Sequence, residues 1–102
     1  MAAHYLRLED VCIRLAIDDS LLRDVCAEGL VEVKQAVDED PVISEEDAER
    51  LRLITVLVRE MDVNLAGAEV ILHMREDVFA MQRQFDEILR TLVDELRQRL
   101  AR

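Results

Sequence analysis

Side chains able to do covalent or metal chemistry are sparse in this chain and scattered. Its two cysteines, Cys12 and Cys26, stand 14 positions apart, and its two histidines, His4 and His73, are remote from each other in sequence. A metal centre needs further ligands at short spacing, which neither pair has, so no metal site and no cofactor are expected. The thiols read best as small, buried apolar residues kept reduced. A disulfide between them stays open in space but does not suit a reducing compartment. No serine, cysteine or carboxylate stands in a recognisable catalytic motif, and no glycine-rich phosphate loop occurs, so the expectation is a protein that is not an enzyme.

The groups that do cluster are carboxylates. Residues 1–64 hold 16 Asp and Glu against 7 Lys and Arg, residues 65–102 hold 7 against 6, and the whole chain carries a formal charge of -10. Nonspecific grip on nucleic acid comes mainly from Lys and Arg neutralising phosphates, and a surface of this sign repels them. DNA is therefore an unlikely partner on charge alone, and a basic protein is favoured. The plainer use of such charge is to keep a small protein soluble. No run of 18 apolar residues exists to span a membrane, and MAAHYLRLED lacks the basic-then-apolar build of a signal peptide. A cytoplasmic location is expected.

These carboxylates must be positioned by helices, since the chain has two glycines, one proline and 51% hydrophobic residues with 3% aromatics. Leu8, Val11, Cys12 and Leu15 recur at helical spacing and predict a first helix starting near Leu8. Asp18, Asp19 and Ser20 interrupt it and offer capping oxygens to a second helix, Leu21 to Glu28, which Gly29 ends. Two short helices joined by a polar turn make a helix-turn-helix. Leu30 to Val33 and Val42-Ile43 then predict a short, exposed β-hairpin wing, with Pro41 and the acidic tip arguing against a larger sheet. Ser44 with Asp47 resembles a capping box, an aspartate standing where glutamate or glutamine is better, for a third helix from about Glu45 to Met61, burying Ala48, Leu51, Ile54, Thr55 and Val58. Asp62-Val63-Asn64 breaks that helix, and Asn64 can cap the next.

Residues 65–102 read as one long helix, with a candidate joint near Arg75. Ile71, Met74, Val78, Met81, Phe85 and Ile88 alternate spacings of three and four, the seam of a left-handed coiled coil. Past Phe85 the better seam passes to Leu89, Leu92, Leu96 and Leu100, a four-residue stutter. Arg99 and Arg102 suit the negative pole of the helix dipole. At 1.5 Å per residue such a helix is about 55 Å long, and the remaining residues need their apolar faces for each other. A two-fold homodimer is the simplest cover, the alternative being a seam packed within the single chain. The organisation expected is a winged-helix-like domain over 1–64 and a dimerisation helix over 65–102.

In that order of elements the chain resembles the MerR superfamily. Members commonly read TLRYYEREGL at the second helix, and Leu21 to Leu30, LLRDVCAEGL, keeps the leucine, the arginine and the Glu-Gly-Leu ending. They commonly follow with YSEEDLERL, which ISEEDAERL from Ile43 to Leu51 matches closely, and Asn64-Leu65-Ala66-Gly67 is similar to the NLAG segment of the HspR-like branch. The resemblance implies a mainly α fold, a MerR-like winged helix-turn-helix with a short β-hairpin wing and a long C-terminal coiled-coil helix.

The departures are informative too. Where DNA-binding members carry paired aromatics and a basic residue, this chain has Asp24, Val25, Cys26 and Ala27, and before the wing's serine stands Asp40-Pro41-Val42. Readout and phosphate clamping need Arg, Lys or Asn on the recognition helix, and Arg23 alone is available there. The acidic, wing-poor version looks like the CbpM chaperone-modulator family. That resemblance implies binding to the J-domain of a CbpA-type, DnaJ-like co-chaperone, restraining its stimulation of the Hsp70 DnaK. Candidate contacts are Asp18, Asp19, Arg23 and Asp24, against the bland reading of each as a cap or solvated charge. The rival expectation is a MerR- or HspR-like transcription regulator that binds DNA.

Overall fold

A computed structural model describes residues 4–101. Readings that fall on the first three residues and on Arg102 lie outside them. The chain forms two compact units, Met1–Glu69 and Val70–Arg102. The first contains strand β1 (Tyr5–Arg7), helix α1 (Leu8–Leu15), helix α2 (Asp19–Ala27), strands β2 (Val33–Lys34) and β3 (Val42–Ser44), and helix α3 (Glu45–Thr55) with a π-helical turn (Val56–Glu60). Helix α4 (Leu65–Leu100) begins in the first unit and makes up nearly all of the second. The fold is a winged helix-turn-helix followed by a long C-terminal helix.

The core of the first unit is aliphatic. Val25 of α2, Ile43 of β3, and Leu51 and Ile54 of α3 are fully buried, joined by Val11, Leu21, Leu30, Val31 and Ala68. These come from every element that the periodicity of the sequence marked as half-apolar. No buried side-chain nitrogen or oxygen is left without a hydrogen-bond partner among the described residues.

Caps set the helix boundaries. Asp18 accepts a hydrogen bond from Leu21 N–H at 2.8 Å, so α2 starts at Asp19, two residues earlier than the pattern predicts. Ser44 Oγ accepts from Asp47 N–H at 3.1 Å, the first half of the expected capping box. The Asp47 carboxylate instead accepts from Glu32 N–H at 3.0 Å, tying the root of the wing to α3. Asn64 Oδ1 accepts from Gly67 N–H at 2.8 Å, the predicted cap of α4. A Cβ at position 67 would sit 3.0 Å from a Val63 methyl, so a side chain there would press on Val63.

Four expectations are corrected. The wing is part of a three-stranded antiparallel sheet in the order β1-β3-β2, with Leu6 opposite Ile43 and Val33 also opposite Ile43. Leu30 and Val31 are buried but stand outside the ladder, because Gly29 turns the chain at φ +72° and Arg50 donates to the Leu30 carbonyl at 3.0 Å. The third helix leaves α geometry at Val56. There Thr55 Oγ1 donates to the Leu51 carbonyl at 2.8 Å within a run of β-branched residues, both of which loosen a helical ladder. Finally, α4 has no joint near Arg75: it is continuous, and the Arg75 guanidinium stacks 4.6 Å from the Phe79 ring centre one turn on.

Candidate functional site

The helix-turn-helix presents its acidic residues in two sets. Asp18 and Asp19 stand where the turn enters α2, while Arg23 and Asp24 lie about one turn further along; all four are exposed. Asp19 and Arg23 are four residues apart and so share a helix face. Asp18 is already engaged. Its carboxylate caps α2 and is paired with Arg59 of the π turn, and those two contacts, the Arg59 hydrogen bond first, hold it below the usual carboxylate range.

Between α1 and the start of α2 lies an open groove of about 670 Å³. Its lining is mostly apolar, with Leu8, Cys12, Ile13, Ile17, Leu22 and Pro41, and includes the carboxylates Glu9, Asp18 and Asp19. Asp18 and Asp19 thus share one depression, whereas Arg23 and Asp24 are not among its lining residues. Ile13 is 71% exposed, whereas the other apolar residues of α1 are buried or half-buried. The groove escaped sequence reasoning, although a signal was present: Ile13 lies off the stripe formed by Leu8, Val11, Cys12 and Leu15. An apolar residue outside the core face marks a second apolar face.

Both cysteines are half-buried free thiols rather than core residues, since Cys12 opens onto this groove. Burial pushes both thiols up from their ordinary value, and for Cys12 the nearby Asp19 carboxylate and Cys26 add to that. Elevated thiols are poor nucleophiles at neutral pH. No group of three or more His, Cys, Asp or Glu placed to hold a metal ion occurs among the described residues.

The cations of the first unit are mostly committed internally. Arg7 pairs with Asp40 at 3.1 Å, Arg52 with Glu49 at 2.7 Å and Arg59 with Asp18, while Arg50 is held on the Leu30 carbonyl. Lys34 donates to the Tyr5 hydroxyl at 3.0 Å across the sheet, and that bond raises its pKa. Arg14 and Arg23 remain outward on the helix-turn-helix. A duplex would meet carboxylates, Arg14 and Arg23, and cations of which Arg7, Arg52 and Arg59 are already paired with carboxylates.

On α4 the seam residues Ile71, Met74, Val78, Met81, Phe85, Leu89, Leu92 and Leu96 are each between 39% and 61% exposed in the single chain. Leu72 is the buried residue of that stretch. No helix among the described residues is long and apolar enough to cross a membrane.

No curated protein and no solved structure matches this chain. The profile described as MerR HTH family regulatory protein matches residues 6–90, from the first strand well into α4, and on that match the chain belongs to the MerR helix-turn-helix family.

Proposed function

We propose that this MerR-family chain is a chaperone modulator. It binds the J-domain of a CbpA- or DnaJ-like co-chaperone, restrains that protein's stimulation of the Hsp70 DnaK, and works as a homodimer paired through α4. The observation that carries the reading is the state of the cations. Five of the Lys and Arg residues in the helix-turn-helix unit are held by that unit's own groups, while Asp19 and Asp24 face outward from the helix that would otherwise enter a groove of DNA. Complementary potential then favours a cationic protein surface, with fast association and marked salt dependence. The resemblance of LLRDVCAEGL and ISEEDAERL to the family, with the basic and aromatic positions replaced, supports the same partner. The role is one of binding, without catalysis, in the cytoplasm.

The test mixes the purified chain with the J-domain co-chaperones of its own genome and measures complex mass by light scattering, with a DNA fragment at low salt as competitor. Capture of a J-domain protein that weakens on charge reversal at Asp19 and Asp24, with the dimer mass unchanged, is the expected result. Family membership itself favours a second reading, a DNA-binding regulator of the MerR or HspR kind, because helix-turn-helix proteins of this family are regulatory. Sequence-selective capture of a duplex at physiological salt, with no affinity for a J-domain, would establish that reading in place of the first.

A further inference from the structure

The carboxylates near the α1–α2 turn do not stand on a flat surface. They border an apolar depression that the fold leaves uncovered, and the combination has a chemical meaning that charge alone lacks. Leu8, Cys12, Ile13, Ile17 and Leu22 line it with apolar surface on which a row of aliphatic side chains loses water, while Glu9 and Asp19, carboxylates of the same lining, offer partners to ammonium or guanidinium groups; Asp18, also in the lining, is already held by Arg59 and the α2 cap. We propose that this groove seats one face of a cationic amphipathic helix belonging to another protein, its apolar stripe against the apolar lining and its lysines or arginines beside Glu9 and Asp19.

Helix-in-groove recognition needs both parts: apolar anchors supply affinity, and charges at the edge set orientation and association rate. The groove is open and of about 670 Å³, a cleft that side chains on one face of a helix can enter. A second copy of this chain is a poor occupant, because it brings a net charge of -10 to a lining that already holds Glu9 and Asp19. The occupant is therefore a different chain and a basic one. This inference rests on the chaperone-modulator reading, which it deepens by naming the surface and the shape of the partner's contact.

Cys12 makes the groove testable without disturbing it. It lines the groove, whereas Cys26, the chain's other free thiol, is not among the lining residues and serves as an internal control. The experiment measures N-ethylmaleimide alkylation of both thiols by intact-mass and peptide spectrometry at mildly alkaline pH. It uses the full chain alone, with the J-domain co-chaperone, and with a helical peptide of leucine and lysine about 18 residues, or five turns, long. A second arm measures binding of both probes to Ile13→Glu, a change at a residue 71% exposed, where the fold has little to lose.

Expected is protection of Cys12 but not Cys26 by each probe, with affinity reduced at least tenfold in Ile13→Glu. If the co-chaperone binds but neither protects Cys12 nor responds to Ile13→Glu, the groove is overturned while the chaperone-modulator reading stands. If the peptide protects Cys12 and the co-chaperone does not bind at all, the groove stands and the choice of partner fails. Binding of neither probe overturns both.

Discussion

Replacing Leu92 and Leu96 together by alanine should dissociate the proposed dimer while leaving the helix-turn-helix unit folded. The magnitude follows from exposure. Full burial of a leucine side chain is worth about 1.5–3 kcal/mol, and these two are 51% and 59% exposed in the single chain, so pairing gains roughly half of that, about 1 kcal/mol each. Two-fold symmetry places every substitution in the interface twice, so the double change removes about 4 kcal/mol per dimer. At about 1.4 kcal/mol per tenfold, the dissociation constant should rise about a thousandfold. Sedimentation equilibrium across a micromolar-to-millimolar range reads that shift directly. Far-UV circular dichroism on the same samples checks that only α4 loses helicity on dilution. A wild-type chain that is monomeric throughout that range would refute the argument, and so would a double variant that dimerises as tightly as the parent. In either case the exposed row along α4 would not be the pairing surface.

Two further outcomes follow from local geometry. Gly29→Ala places a Cβ on a left-handed residue with open space around it, so the cost is backbone strain without a clash, about 1–2 kcal/mol, read as a lowered urea midpoint at unchanged slope. Asp18→Asn tests the pairing with Arg59 through pH. Because the folded carboxyl is held below its ordinary value of 3.8, its contribution is complete above that value and is lost as pH falls through the lower folded one. The stability gap between parent and variant should therefore be flat at neutral pH and close in acid; a gap that widens in acid would contradict the assigned partner.

The helices were legible because burial imposes a period on the sequence. The stripe of α3, the caps at Ser44 and Asn64, and the stop at Gly29 each follow from a side chain or backbone requirement that is local in the chain. Contacts between remote segments were less legible. Strand β1 is three residues long and exists because Leu6 finds Ile43, 37 positions away, and Leu8 N–H finds the Pro41 carbonyl at 3.0 Å. Nothing within Tyr5-Leu6-Arg7 itself asks for a strand. The π turn was hidden for a related reason, since Val56 to Glu60 has helical periodicity and only hydrogen-bond spacing separates the two forms. Of the site, the acidic residues were plain to see. Their gathering beside apolar side chains was not, because that lining is assembled from two helices, the turn between them and Pro41, which the linear pattern assigns to different elements.

The outermost position of β1 has a practical side. Its three residues shield one margin of β3, whose other margin is taken by β2, so the central strand has no free hydrogen-bonding edge as long as Tyr5 to Arg7 stay in place. Trimming the chain just before Leu8 would remove no mere tail. It would bare a ladder of unpaired amides beside Ile43 and invite strands from neighbouring molecules to fill it, turning a closed winged fold into a seed for aggregation.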